Sequence, residues 1–240
     1  MTPFHHQLEF RSSTVSWFGT DQAHVYDQNL QDPDRRAQLT ANGWIDRDIT
    51  YSFNSHGFRC AEFEPGTGFV ALGCSITAGV GLSAEQIWPS IVGKNLGISA
   101  WNLGVSGGAM DTNFRMAEYW LPVLQPRFVV MLGSPLRIEL VHSDVVDSFQ
   151  LNRYHKDDWY LKNYTLNDEN DGINYRKNVR AISDVCRDVG ALFWSVSTED
   201  WGQGPGDPDR GRDWARDLAH PGPSMHRHFA DRVMREFMHA

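Results

Sequence analysis

The chain has 240 residues, 41% of them apolar and 22% charged, enough for one large domain with a sizeable core. Its 22 basic side chains against 30 acidic ones leave a net charge of -8, a field that repels phosphate backbones and anionic lipid. Neither nucleic acid nor a membrane is therefore an expected partner. Cys60, Cys74 and Cys186 show no C-x-x-C spacing, which argues against a disulfide framework and a structural zinc site.

The opening MTPFHHQLEF has no basic stretch followed by an apolar run, and nowhere do about 18 apolar residues run together. No signal peptide or membrane span is expected, and a cytoplasmic location is the default. Residues 1–66 are rich in Asp, Gln, Asn and Arg, with turn signals at Asn42-Gly43 and Glu64-Pro65-Gly66. They read as short extended pieces, an N-terminal extension packed on a main domain over 67–240.

From Gly68 the pattern becomes regular. Phe69 to Gly73 is a short apolar run suited to a strand buried on both faces, and Phe128 to Gly133 is another. Ser83 to Leu96 predicts a helix with Ser83 as N-cap and Gln86 as its capping-box partner, while Pro89 implies a kink or a late start. Ser99 to Val105 reads as a strand and Met110 to Leu124 as a helix. Residues 134–171 lose periodicity and are long enough for a cap or binding loop. Ile173 to Val189 predicts a helix with Val179, Ile182, Val185, Cys186 and Val189 on one face. A strand over Ala191 to Val196 and a last helix over Ser224 to Met238 complete the order. This alternation implies a three-layer α/β fold with a doubly wound parallel sheet. Ser75, Gly104, Ser134 and the 198–220 loop each follow a strand, so they converge on the carboxyl edge where such folds carry their sites.

Three segments carry chemistry. Gly73-Cys74-Ser75 turns sharply out of a buried strand and presents a hydroxyl with its own backbone N–H. Asp217-Leu218-Ala219-His220 spaces a carboxylate to orient an imidazole, which in turn activates a serine brought from elsewhere. Asn102-Leu103-Gly104-Val105-Ser106-Gly107-Gly108 lets backbone donors approach a developing oxyanion. Each segment alone is more often an ordinary turn or helix cap. His226 and His228, two apart on a helix, point to different faces and make no zinc site.

Together, in this order, the three segments resemble the SGNH (GDSL-type) hydrolases over about residues 68–240. The resemblance implies a flavodoxin-like fold and an esterase with no metal or other cofactor. It implies Ser75 as nucleophile, His220 as base, Asp217 as its orienting carboxylate, and the N–H groups of Ser75 and Gly104 as the oxyanion hole. The chain departs from the pattern at Cys74, where the family has Asp, and at Pro135, where an oxyanion Asn is usual. Ser134 and Arg137 are candidate replacement donors. Trp159, Trp201 and Trp214 are candidates for stacking on a sugar or lining an acyl pocket. The expected substrate is a small-molecule or glycan ester, with carbohydrate O-deacetylation preferred. The rival reading is a binding module that keeps the fold but has lost efficient chemistry.

Overall fold

A computed structural model describes residues 4–66, 68–135, 137–141, 148–152, 168–200 and 213–238. Its centre is a four-stranded parallel sheet of β3 (Gly68–Gly73), β4 (Ser99–Asn102), β5 (Phe128–Gly133) and β8 (Leu192–Ser197). The order is β4-β3-β5-β8, so the chain starts inside the sheet and winds outward in both directions. Strands β3 and β5 are buried at every position, as a strand covered on both faces must be.

Alternate residues feed two cores. Val70, Leu72, Val129 and Met131 face α5 (Met110–Leu124) and α6 (Asp168–Asp188). Phe69, Ala71, Val130 and Leu132 face α4 (Trp88–Leu96) and α7 (Pro223–Met238). The expected three-layer doubly wound fold is thus present. Among the described residues no helix is long and apolar enough to cross a membrane.

Three local expectations need adjustment. The segment 84–96 is not one helix: Ser83 and Gln86 form the capping box of a short 3₁₀ turn, Ala84–Gln86, and α4 starts at Trp88 with Pro89 in its first turn. Proline is harmless there because first-turn N–H groups lack intrahelical acceptors anyway. Strand β4 stops at Asn102, whose side chain folds back onto the Gly104 N–H. The described part of 134–171 includes an antiparallel hairpin, β6 (Arg137–Val141) with β7 (Ser148–Asn152).

The largest difference lies before the sheet. Residues expected to be short extended pieces instead hold two helices, α1 (Ala23–Gln31) and α2 (Pro33–Ala41), between the paired two-residue strands β1 (Thr14–Val15) and β2 (Tyr51–Ser52). The start of α2 has a readable signature: Pro33 is at its first position and Asp32 Oδ1 accepts from the N–H groups of Asp34 and Arg35. Phe18, Leu39, Trp44, Ile49, Tyr51 and Phe53 form a third core with Val80, Leu82, Ile87 and Ala215. That core lies against the segment following the Ser75 turn.

Candidate active site

Strand β3 ends at Gly73, and α3 (Ser75–Ala78) begins two residues later. A side chain at Gly73 would overlap Thr77 Oγ1 and the Leu132 carbonyl, so glycine alone permits this turn. Ser75, the first residue of α3, is buried, and its N–H belongs to the first turn, which has no intrahelical acceptor. Cys74 gives no side-chain cap. The turn is held from outside instead. Asn102 Nδ2 donates to the Thr77 carbonyl at 2.8 Å, and Arg59 donates to the carbonyls of Gly79 at 2.5 Å and Leu82 at 2.6 Å.

On the facing side, residues 215–220 form a closed turn. The Ala215 N–H donates to the His220 carbonyl at 2.9 Å, and Leu218 takes the left-handed conformation with φ 52°. This curl brings the N–H groups of Ala219 and His220 to Asp217 Oδ1, each at 3.1 Å. Asp217 Oδ2 lies 2.6 Å from His220 Nδ1 and accepts from Thr20 Oγ1 at 2.5 Å. Four donors therefore fill the acceptor capacity of one buried carboxylate. Burial pushes the Asp217 carboxyl towards its neutral form. The hydrogen bond and charge of His220, the Thr20 hydroxyl and the Ala219 N–H outweigh that push and hold it below its ordinary value.

An ionised carboxylate only accepts, so the proton between Asp217 and His220 sits on Nδ1. His220 Nε2 is then the acceptor, and Ser75 Oγ is 2.7 Å from it. The three residues, read from two separate segments, stand in one hydrogen-bonded line. Such a line can draw a proton from the Ser75 hydroxyl as its oxygen attacks.

Gly104 takes a different place from the one expected. Its N–H donates to Asn102 Oδ1 at 3.0 Å, so it is not free to serve an oxyanion. Glycine is needed there for another reason: a Cβ would come 2.5 Å from the Ala78 nitrogen. In the turn after it, Gly108 donates to the Val105 carbonyl and Ser106 to Gln7 Oε1. Gly107, at φ 75°, carries the amide of that turn with no acceptor among the described residues.

The other candidates lie in different settings. Ser134 is buried at the end of β5, before Pro135. Arg137 opens β6 with a buried Nη1 that meets no acceptor among the described residues. Trp214 is tied through its backbone to Asn42 and Trp44, which fastens the 213–222 segment to the N-terminal helices. Trp159 and Trp201 lie outside the described residues.

Several residues at the site carry no short-range pattern in the sequence. Gln7, Thr20, Asp21 and Arg59 come from the first 66 residues. Asp21 pairs with Arg216 at 2.6 Å, both side chains nearly fully buried, and Tyr51 donates to the same carboxylate oxygen. Two of the partners lay next to a recognisable stretch: Arg216 is beside Asp217 in the chain, and Arg59 closes the run Asn54-Ser55-His56-Gly57-Phe58-Arg59.

No family model and no curated protein matches the chain. Among solved structures it is similar to EstA, a psychrotrophic esterase from Pseudoalteromonas, at 14% identity and TM-score 0.39 over 72% of this chain and 100% of that one. It is similar to a catalytic-mutant form of an acetylxylan esterase from Geobacillus stearothermophilus at 14% identity and TM-score 0.38, over 73% of this chain and 96% of that one. A protein from Desulfitobacterium hafniense classed with the G-D-S-L lipolytic family gives 13% identity and TM-score 0.39, over 71% of this chain and 99% of that one.

Proposed function

We propose that the chain is a serine hydrolase that cleaves an ester through an acyl-enzyme. The observation that carries this reading is the unbroken line Ser75 Oγ, His220 Nε2, His220 Nδ1, Asp217 Oδ2, with steps of 2.7 Å and 2.6 Å. Ser75 Oγ attacks the ester carbonyl while its proton passes to His220 Nε2, giving a tetrahedral oxyanion and an imidazolium beside Asp217. Collapse breaks the bond to the leaving alcohol, which takes the proton back from Nε2. Water then repeats the sequence on the acyl-enzyme and releases the acid.

The oxyanion donors in this reading are the N–H of Ser75 and that of Gly107, since the Gly104 N–H is committed to Asn102. Residues 67–240 form the hydrolase domain, with 1–66 as an extension packed on it. The preferred substrate is a carbohydrate or other small polar ester, and Ser134, Arg137 and Trp214 are the described candidates for holding it. A fluorophosphonate probe tests the reaction class. One adduct per chain on Ser75, lost in Ser75→Ala and blocked by prior heat unfolding, is expected; an unlabelled native chain overturns the reading.

A further inference from the structure

The turn Phe18–Asp21 reaches the Asp217–His220 pair from the opposite end of the chain. Phe18 and Asp21 bond each other's backbone in both directions, at 3.0 Å and 3.1 Å, so Gly19 and Thr20 form the tip. Gly19 has φ 62°, and a Cβ on it would sit 3.0 Å from Val80 and 3.1 Å from Ser106 Oγ. The tip is thus wedged between the loop after β4 and the segment after α3. Two adjacent residues of this turn then meet two adjacent residues of the other: Thr20 bonds Asp217, and Asp21 bonds Arg216.

The second contact fixes the first. Arg216 lies over the Trp17 ring at 4.2 Å and donates to Asp21 through Nε and Nη2 and to the Ser16 carbonyl. With its neighbour clamped on both sides, the Thr20 hydroxyl has little freedom to leave Asp217 Oδ2. It shares that oxygen with His220 Nδ1, and its own distance to Nδ1 is 3.4 Å.

We propose that Thr20 is a positioning residue of the proposed hydrolase, a hydroxyl that orients Asp217 and, through it, the His220 ring. The role rests on the esterase reading; the contact does not. The hydroxyl donates to the same carboxylate oxygen that His220 Nδ1 bonds, so it holds that oxygen in place for the ring. The same bond fixes which lone pair faces Nδ1, and so the plane of the ring that must reach Ser75. The other charged or titratable groups around the pair, among the described residues, do not supply this. Asp21 and Arg216 neutralise each other, Arg59 is spent on backbone carbonyls, and burial pushes His226 down to about 3 and keeps it neutral.

The experiment compares Thr20→Val, which keeps the shape and removes the hydroxyl, with Thr20→Ser, which keeps the hydroxyl. Both are made in the full chain and assayed with p-nitrophenyl acetate across pH, alongside the downfield proton resonance of His220 Nδ1. Thr20→Val is expected to lower kcat about tenfold with KM nearly unchanged. It should also shift the resonance, because Nδ1 then faces a carboxylate oxygen that has lost its second donor. Thr20→Ser should return kcat and KM to within about twofold of wild type and restore the resonance. A Thr20→Val kcat and resonance identical to wild type overturn the inference, as does a Thr20→Ser that loses as much as Thr20→Val. If Thr20→Val does not fold, Thr20→Ala against Thr20→Ser gives the same comparison. Should the wild type hydrolyse nothing and resist fluorophosphonate, the esterase reading falls. The resonance then decides alone whether Thr20 governs the pair.

Discussion

His220 Nε2 lies 2.7 Å from Ser75 Oγ, across 145 residues of sequence. The contact joins the turn that leaves β3 to the turn that precedes α7, two segments on the same edge of the sheet. Cys74, next to the serine, is buried and makes no cap. Ser75→Ala is expected to abolish hydrolysis of p-nitrophenyl acetate, whereas Cys74→Ala keeps a measurable rate. Thiol chemistry elsewhere does not confuse the result, because burial pushes the thiols of Cys60 and Cys186 up to about 12. Turnover surviving in Ser75→Ala but lost in Cys74→Ala would reverse the assignment.

Acid should weaken the fold through two buried histidines as well as through carboxylates. Burial lowers His226 to about 3 and His5 to about 4, from 6.5. Between those values and 6.5 the unfolded chain binds protons that the folded chain refuses. Stability is therefore complete above 6.5 and falls as pH drops, by up to about 1.4 kcal/mol per pH unit for each group. His226 Nδ1 accepts the Trp88 N–H at 3.1 Å, so His226→Asn can keep an acceptor without the titration. Urea melts at pH 7 and pH 5 should show a smaller difference for His226→Asn than for wild type. Asp217 has the same sign lower down: its contribution is lost as pH falls below 3.8 through its depressed folded-state value.

Asn102 links the two backbone segments of the site, donating to the Thr77 carbonyl and accepting from the Gly104 N–H. Asn102→Ala leaves both groups buried without partners, a cost of about 1–3 kcal/mol each. The variant should melt lower and lose kcat more than KM rises, since α3 and the loop after β4 both relax. Wild-type kcat in a destabilised Asn102→Ala would show that the link supports the fold and not the site.

The Asp21–Arg216 pair is the most deeply buried ion pair at the site, with side chains 1% and 3% exposed. Asp21→Asn leaves the guanidinium uncompensated and should cost about 3–5 kcal/mol by urea denaturation. Reversing the pair would not restore it, because Tyr51 donates its hydroxyl to Asp21 and has no acceptor to offer a donor-only partner in the same geometry.

Pro135 lies buried after β5, where it can offer neither an amide side chain nor an N–H. If the oxyanion is held by backbone donors alone, Pro135→Asn should raise kcat by up to about tenfold and change KM less, because the added donor acts on developing charge. Arg137→Ala, made singly and in combination, separates a guanidinium already in that role by its coupling. Silence of both substitutions in folded protein would mean that a third donor does not limit the rate.

The sheet and its four covering helices are legible in the chain because each has a one-dimensional signal. Strands buried on both faces are unbroken apolar runs, as in Phe69 to Gly73, and α5 and α6 show their buried stripe at helical spacing. Ser75, Asp217 and His220 could be picked out for a related reason: each sits in a short turn motif whose chemistry depends on near neighbours. The helices α1 and α2 escaped the same reading because their sequences are polar and their few apolar side chains pack onto a remote surface. There the Asp32-Pro33 start was the available clue. Tertiary structure alone decided the rest. Thr20 reaches Asp217 across 197 residues, and Asp21 reaches Arg216 across 195. A hydrogen bond between distant segments depends on where the folded backbone ends up, to within a fraction of an ångström. No local pattern of residue types records that.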